Sequence, residues 1–273
     1  MAPQEPAASA VVRTFDSAGT VGETIASLRR QDVPVEVVVV DSGSTDGTLD
    51  LVRDLADVVV ELPPGTFTYG GSLNTGASRA SAPVHLALSS HCVLPRPDWV
   101  SIAVGHVRAG AAAVVGLPVD GERRPLAGPF TADHRYVLQH QHWGFSNHAS
   151  AWSAEVWQRH RFDEQLSATE DKEWTWRALA DSGPLVVDPR LVVPGDHRRS
   201  AGVRAYHRRL VKEITAIQHL RPLPPFGAGR AAREWTRRVP ADPFLSQARR
   251  FGRTRLVEVH ARWLAGRTGG GAR

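Results

Sequence analysis

The chain has little or none of several features that mark large protein classes. It has one cysteine, Cys92, among 273 residues, so an internal disulfide is excluded and no cysteine-based zinc spacing exists. No apolar run approaches the ~18 residues that a membrane-spanning helix needs. The N-terminus lacks the basic and apolar pattern of a secretory signal. These absences favour a globular protein of the reducing cytoplasm.

Three common catalytic motifs are also missing. No G-x-G-x-x-G occurs, and the looser form ending in alanine, at 227–232, follows prolines rather than a strand. Neither lysine, Lys172 nor Lys212, follows a glycine, so there is no phosphate-binding P-loop. The run 144–148 lacks the last glycine of a G-x-S-x-G nucleophile elbow. The commonest dehydrogenase, NTPase and hydrolase classes are therefore disfavoured.

The charge is basic, with a net value of +5 and a pI near 10.1. Only two basic residues are lysines, and much of the arginine lies beyond Arg204. Such a region favours an acidic partner, either anionic lipid, nucleic acid or a phosphorylated substrate, although a solvated arginine-rich face explains it as well. No nucleic-acid-binding motif is present, so no nucleic-acid partner is expected.

Apolar segments alternate between strand and helix periods after a leader, residues 1–9, that is predicted to be disordered. This alternation predicts an α/β fold with a mostly parallel sheet flanked by helices. The predicted domains are 10–220 and an arginine-rich helical extension, 221–273. The predicted strands are 10–16, 37–41, 58–62, 84–88 and 112–117, with one or two more in 185–193. Later helices are predicted at 152–160, 169–182, 200–220 and 244–264, with a candidate linker at 222–242.

The stretch 37–48 organises this pattern. Four valines predict a strand buried on both faces, and the strand stops at Asp41, followed by glycines and hydroxyls. Ligands of open parallel sheets bind beyond the carboxyl ends of the strands, so Asp41 is placed at a ligand site. A plain turn capped by Ser44 or Asp46 accounts for 44–48 but not for an acid at the strand tip. Right-handed crossovers should bring 14–16, 41–42 and 90–92 together.

Several motifs, taken in order and with their spacing, resemble the family 2 glycosyltransferases of the GT-A (Rossmann-like) fold. The resemblance covers about residues 10–215, and 67–76 is similar to the rhamnosyltransferase-like branch. The matching pieces are V-R-T-F-D at 12–16, V-D-S-G-S-T-D-G-T at 40–48, F-T-Y-G-G-S-L-N-T-G at 67–76, F-D-E at 162–164 and T-E-D-K-E-W at 169–174.

The resemblance implies an inverting transferase that moves a hexosyl or deoxyhexosyl group from a nucleotide-diphosphate sugar to a hydroxyl of a glycan, lipid or small molecule. Asp171 resembles the catalytic base, although first-turn acids also simply stabilise helices. Trp152, Asn147 and Glu170 are expected near the acceptor. The residues expected at the nucleotide are Thr14, Phe15, Asp16, Asp41, Ser42 and Asn74.

One departure concerns the metal. The family's acidic metal motif should follow the strand 84–88, yet the chain has Ser90-His91-Cys92 there. Mn²⁺ and Mg²⁺ favour oxygen ligands, so His91 should hold them more weakly than an aspartate would. Either the diphosphate, His91 and His197 hold a Mn²⁺ or Mg²⁺ ion, or arginines such as Arg198 and Arg199 neutralise the leaving group.

Two further interpretations remain open at the level of sequence. The missing acidic motif also fits a non-catalytic module that binds sugar nucleotides or glycans, although the pair 170–171 and His197 speak against it. The basic extension predicts peripheral contact with an anionic membrane, because arginines alternate there with apolar residues such as Phe244 and Trp263.

Overall fold

The computed structural model describes residues 5–194, 202–246 and 248–268, which form two compact units. The first unit contains 5–166 and 170–194, and the second contains 167–169 and the described residues from 202 onwards. The helix at 203–220, predicted as the end of the first domain, belongs to the second unit. The reason is its bonding to the last helix, since Tyr206 Oη donates to Glu258 Oε1 (2.9 Å).

A mixed sheet forms the centre of the first unit. Its described strands are ordered β3-β2-β1-β4-β7-β5-β8-β6. Pairing is parallel from β3 through β4 and antiparallel on both sides of β7, so the predicted α/β sheet is confirmed. The strands are β1 (Ala8–Thr14), β2 (Val35–Asp41), β3 (Val58–Glu61), β4 (Val84–Ser89), β5 (Ala113–Val115), β6 (Phe130–Ala132), β7 (Ala149–Ser153) and β8 (Leu185–Val187).

Helices pack against the sheet and contribute to a buried apolar cluster. Ile25 and Leu28 of α1 and Trp99 of α4 pack in the same buried cluster as Val37 and Val39 of β2. The run of valines in β2 is buried on both faces, as a central parallel strand requires. The helices are α1 (Val21–Arg29), α2 (Thr48–Leu55), α3 (Tyr69–Ala77), α4 (Trp99–Arg108), α5 (His134–Gln139), α6 (Ala154–Arg159) and α7 (Glu170–Ala178), with a 3₁₀ turn at Pro189–Leu191.

The sequence prediction was wrong at two places in the sheet. The predicted disordered leader, 1–9, overlaps β1, which already begins at Ala8 because Ala8 and Ser9 are buried and paired in the sheet. The second place is β7. Trp152 was expected to open a helix, but it lies inside β7, and α6 starts only at Ala154. Ser153 ends the strand and caps the helix by accepting from Val156 N (3.4 Å). The antiparallel register places Leu88 opposite Ala149, so the residues after β4 meet those before β7.

The second unit is helical, with α8 (Val203–Leu220), α9 (Ala228–Thr236) and α10 (Arg253–Thr268). The helix α9 lies within the predicted linker, and α10 begins nine residues later than predicted. Among the described residues, Phe226, Leu245 and Val259 form its small apolar core. No helix within the described ranges is long and apolar enough to cross a bilayer.

Two buried arginines organise this second unit. Arg262 donates to Pro224 O (2.8 Å) and lies 3.3 Å from the carboxylate of Asp242. Arg255 also satisfies loop carbonyls that would otherwise be buried and unpaired. Its partners are the carbonyl oxygens of Glu234 (3.1 Å), Arg237 (3.4 Å), Ser246 (3.1 Å) and Ala248 (2.5 Å). Part of the arginine content of this region is therefore structural rather than solvated.

Candidate active site

Asp41 closes the turn that follows β2. Its Oδ1 accepts from the backbone N–H groups of Gly43 and Ser44, both at 2.9 Å. Its Oδ2 accepts from Thr14 Oγ1 (2.8 Å) and Ser44 Oγ (2.5 Å). Gly43 has a φ of +94°, a left-handed conformation that a glycine adopts at no steric cost.

The four bonds determine the electrostatics of Asp41. Burial alone would raise its pKa, but the hydrogen bonds from Ser44, Thr14 and Gly43 outweigh burial and hold the pKa below its usual value. The carboxylate is fully buried, and each of its acceptor sites is used internally. Asp41 therefore shapes the turn, and a direct contact with a nucleotide base requires the exchange of one internal bond.

The strand tips expected to converge do so. Asp16 donates its N–H to Ser44 Oγ and accepts from Thr45 N, both at 2.9 Å, while Ser17 and Ser90 join their hydroxyls at 2.8 Å. Asp16 has a φ of +44°, an uncommon backbone conformation for a residue other than glycine.

Two predicted nucleotide residues remain available at this edge. The hydroxyl of Ser42 is buried without a hydrogen-bond partner in the described part of the chain. The ring of Phe15 is 61% exposed. The backbone N–H of Ser42 donates to Thr14 O (3.0 Å), one residue before Phe15. A hydroxyl and an exposed ring at neighbouring strand tips suit a nucleoside, which presents polar edges and a stacking face.

Asn74, another residue predicted at the nucleotide, uses its side-chain amide for hydrogen bonds within the protein. It is buried in α3, where its amide nitrogen donates to Phe162 O (2.9 Å) and Glu164 Oε1 (2.8 Å). Its amide oxygen accepts from Trp157 Nε1 (2.9 Å) and Phe162 N (3.0 Å). Three of these hydrogen bonds hold the segment after α6 and the fourth holds Trp157 of α6 itself, so Asn74 is a structural residue in this conformation.

Two adjacent carboxylates open α7. Glu170 is only 2% exposed, and Asn147 donates its amide N–H to Glu170 Oε1. Burial, followed by repulsion from Asp171, raises the pKa of Glu170 to about 7. The preceding residue, Thr169, has a φ of +66°, and strained backbone of this kind is concentrated at functional sites.

Asp171 is the more accessible carboxylate of the pair. Its side chain is 14% exposed, Oδ1 accepts from Lys172 N (2.8 Å), and Oδ2 lies 3.9 Å from Lys172 Nζ. The same ammonium group donates to the carbonyls of Gly144 (3.3 Å) and Phe145. Asp171 is therefore held beside a cation but retains access to solvent.

Arg13 connects these carboxylates to the strand tips. One of its terminal amino groups donates to Asn147 O (2.9 Å), and the guanidinium lies 5.6 Å from the centre of the Tyr69 ring. Burial lowers the pKa of Arg13, while the carboxylates of Glu170 and Asp171 act in the opposite direction. Its Nε is buried and has no hydrogen-bond partner among the described residues. Sequence reasoning had only counted Arg13 as part of a motif.

Trp152 does not lie at a pocket surface, so the prediction that it borders the acceptor was wrong. It is fully buried, and its ring packs edge-on against His85 and Phe162, with centroids 5.8 and 5.6 Å away. The physical reason is the strand: Trp152 belongs to β7, in the middle of the sheet, rather than to the first turn of an exposed helix.

The predicted metal residue His91 lies in a cluster with Cys92 and His148, whose ligand atoms are all within 4.8 Å of one another. Two imidazoles and a thiol differ from the oxygen donors that Mg²⁺ and Mn²⁺ prefer. The buried thiol is also protonated, because burial raises the pKa of Cys92 to about 12. This set does not fit a hard ion. His197, the second predicted ligand, and the neighbouring Arg198 and Arg199 lie outside the described residues.

The sheet order, with a polar site at the strand tips and helices at the C-terminal end, defines an α/β protein of the GT-A class. The chain belongs to glycosyl transferase family 2, whose model matches residues 9–164. The narrower rhamnosyltransferase-like assignment stays a prediction.

Curated relatives point in the same direction. A validoxylamine A glucosyltransferase from Streptomyces hygroscopicus subsp. jinggangensis (strain 5008) is 29% identical over 249 residues, covering 75% of this chain and 56% of the relative. A second enzyme of that name, from subsp. limoneus, is 28% identical and is covered to 52%. The chain thus spans about half the length of the curated relatives it matches.

Solved structures share the fold at low identity. The mannosyltransferase PcManGT from Pyrobaculum calidifontis, solved with GDP-Man and Mn²⁺, has a TM-score of 0.61 and 20% identity, covering 98% of this chain and 74% of that one. S. aureus TarS 1-349 has a TM-score of 0.56 and 18% identity, covering 77% of this chain and 65% of that one. Glucosyl-3-phosphoglycerate synthase from Mycobacterium tuberculosis, solved with Mn²⁺ and UDP, has a TM-score of 0.56 and 20% identity. The match covers 81% of this chain and 82% of that one.

Proposed function

We propose that the chain is an inverting glycosyltransferase that moves a hexosyl or deoxyhexosyl group from a nucleotide-diphosphate sugar to a hydroxyl of its acceptor. The observation that carries this proposal is the grouping of Arg13, Glu170 and Asp171 at the edge where β1, β2 and β4 end. It combines a half-buried cation with two carboxylates of different environment. Such a combination serves reactions that expel an anion and remove a proton.

In the proposed reaction Asp171 is the base. The acceptor oxygen attacks the anomeric carbon from the side opposite the diphosphate, so the bond from that carbon to the diphosphate oxygen breaks as the new bond forms. Asp171 takes the acceptor proton late in this step, and inversion follows from the single displacement. Positioning contributes much of the rate, because a carboxylate at a helix N-terminus is a modest base. Glu170 stays buried behind it and sets the local negative charge.

The leaving diphosphate needs positive charge. Arg13 supplies it within the described part of the chain, because its Nε–H is buried without a partner and is free to bind an anionic oxygen. We assign no step to Mn²⁺ or Mg²⁺, since the donors at the end of β4 do not fit them.

The nucleotide is proposed to bind at the strand-tip edge, with Phe15 against its base and the hydroxyl of Ser42 in its hydrogen-bonding network. The structural neighbours were solved with UDP, UDP-GlcNAc and GDP-Man, which makes uridine and guanosine diphosphates the first candidates. The curated relatives are named for glucosyl transfer to validoxylamine A, so a small-molecule hydroxyl is the first acceptor class to test.

Membrane contact is proposed for two adjoining segments of the second unit, which we call the basic tips: Arg237-Arg238-Val239 and Arg249-Arg250-Phe251. Val239 and Phe251 are 59% and 58% exposed, and all four arginines are exposed. Arg255 donates to the carbonyl of Arg237 in the first segment and to that of Ala248, the residue just before the second. The N–H of Phe251 donates to Trp235 O (3.4 Å). Apolar side chains between arginines suit an anionic lipid surface.

A two-stage experiment tests the transfer activity. Thermal shift with UDP, GDP and dTDP identifies the nucleotide, because a ligand of the folded state raises Tm. Turnover is then measured with sugars of that nucleotide and a panel of small-molecule acceptors that carry hydroxyl groups, following release of the diphosphate. A shift with turnover that Asp171→Asn abolishes is the expected result. A shift without turnover of any donor would instead favour the non-catalytic sugar-nucleotide or glycan-binding module.

A further inference from the structure

We propose that His91, Cys92 and His148 form a binding site for one borderline transition-metal ion of the Zn²⁺ type. The inference starts from the mismatch described above, because this donor set at the end of β4 disfavours the hard ions expected there. It does not depend on the proposed transferase activity.

The sheet brings the three residues together. β4 and β7 are antiparallel, and the backbone N–H of Ser89 donates to the carbonyl of His148 (3.0 Å). A tight turn follows β4, in which Cys92 N donates back to Ser89 O (2.9 Å). His148 is 56 positions from Cys92 in the sequence, so no short cysteine and histidine spacing reveals the cluster.

The chemistry of the donors selects the ion. Imidazole and thiolate are the preferred ligands of Zn²⁺, and three protein ligands leave a fourth position open for water or an anion. Mg²⁺ and Ca²⁺ would require oxygen ligands instead. The partial exposure of His91 and His148, beside the buried Cys92, provides an entry path for the ion.

Binding requires two local changes. The sulfur of Cys92 lies 3.4 and 3.3 Å from Nδ1 and Nε2 of His148, so it rests against the ring rather than on the axis of one nitrogen. A modest rotation of the His148 ring would direct one nitrogen toward the ion. The thiol must also lose its proton, which a bound cation drives and which makes binding release a proton.

The surrounding charges have opposing effects. Arg13 stabilises a thiolate at Cys92 but repels a cation. The carboxylates of Glu170 and Asp171 also interact with Arg13 and offset its charge. A doubly charged ion can therefore approach the cluster without meeting an unbalanced guanidinium.

The test is a titration of the full-length protein with Co²⁺, because Co²⁺ bound to a thiolate gives a sulfur-to-metal charge-transfer absorption band. Another histidine pair could also bind Co²⁺, because His207 Nε2 and His260 Nδ1 lie 2.9 Å apart on an exposed surface of the second unit. This pair is therefore removed first. All titrations therefore use the His207→Ala background, and Zn²⁺ affinity is measured by displacement of Co²⁺.

We expect one equivalent of Co²⁺, the charge-transfer band, and release of a proton. Cys92→Ser should abolish the band, and His148→Ala should weaken Zn²⁺ binding at least ~10-fold, the scale seen even for outer-shell partners. His91→Asp should raise the affinity for Mn²⁺ relative to Zn²⁺, because it introduces a hard oxygen donor. Apo-state melting curves of the variants check folding. The proposal is overturned if no band forms in the background protein, or if folded Cys92→Ser and His148→Ala bind Zn²⁺ as tightly as the background protein does.

Discussion

Asn147 donates its side-chain amide to the carboxylate of Glu170, while its own backbone carbonyl accepts from Arg13 at 2.9 Å. Asn147, two positions before β7, thereby holds both a carboxylate of α7 and the guanidinium of Arg13 in β1. Because two opposite charges are partly removed from water here, small changes of protonation affect both stability and the charge at the site.

Glu170 makes stability depend on pH. Its pKa rises from 4.5 to about 7 on folding, so between these values the native state binds more protons than the unfolded state. The free energy of unfolding should therefore fall as pH rises from about 4.5 to about 7, by roughly 3 kcal/mol from this group. Glu170→Gln should remove that fall, as urea unfolding at pH 5 and pH 8 can measure. Glu155→Gln, at an exposed first-turn glutamate of α6, is the matched control. An unchanged pH dependence in Glu170→Gln would contradict the assignment.

Asp171→Asn should act on chemistry rather than on donor binding, because the proposed base touches only the acceptor proton. Loss of a general base typically costs ~10²–10⁴-fold in rate, so kcat should fall by about that factor while the Kd of the donor changes little. Steady-state kinetics and nucleotide-sugar binding by calorimetry separate the two. If this variant keeps wild-type turnover, Asp171 is not the base, and Glu170 is the next candidate.

Arg13→Gln should weaken binding of the nucleotide diphosphate and raise the pKa of Glu170 further, since the guanidinium lowers that pKa. The descending limb of the stability-pH curve should then move to higher pH. Arg13→Lys keeps the charge and should shift the curve less, although it loses the planar geometry of the guanidinium. Equal curves for wild type and Arg13→Gln would show that the two groups are not coupled.

Asp41 and Ser42 should separate folding from nucleotide binding. Asp41→Ala removes the acceptor of four hydrogen bonds and leaves the N–H groups of Gly43 and Ser44 unpaired, so stability should fall by about 1–3 kcal/mol or more. Ser42→Ala removes a hydroxyl without an internal partner in the described residues. It should leave stability within ~0.5 kcal/mol and weaken nucleotide binding. Urea unfolding and thermal shift measure the two effects, and a stable Asp41→Ala protein would contradict the structural role.

The basic tips should bind anionic vesicles in a salt-dependent way. Each arginine near a charged leaflet contributes ~1 kcal/mol, so Arg249→Gln with Arg250→Gln should lower vesicle affinity roughly 30-fold at low salt. Phe251→Ser should lower it further at any salt, because it removes apolar insertion. Arg204→Gln with Arg208→Gln, at exposed positions of α8, is the control. Equal sedimentation of all variants with phosphatidylserine vesicles would leave only a solvated arginine-rich face.

Local sequence patterns determined much of the parallel half of the sheet. The strands β1 to β4 and the convergence of their tips were predicted from three features: the valines of β2, the acid at its tip and the alternation with helices. These features depend on neighbours in the chain. The helix α9 and the start of α10 were missed, since the buried arginines that organise the second unit look like solvated charge in a sequence.

The sequence by itself determined the fold class, the family resemblance and the identities of Asp41, Glu170 and Asp171 as candidate residues. The tertiary structure alone decided what surrounds them. Because β7 inserts antiparallel between β4 and β5, it carries Asn147 to Glu170 and His148 to Cys92, and it buries Trp152. Burial and long-range pairing set the protonation of Glu170 and the donor set beside β4, and neither property is encoded in the spacing of residues along the chain.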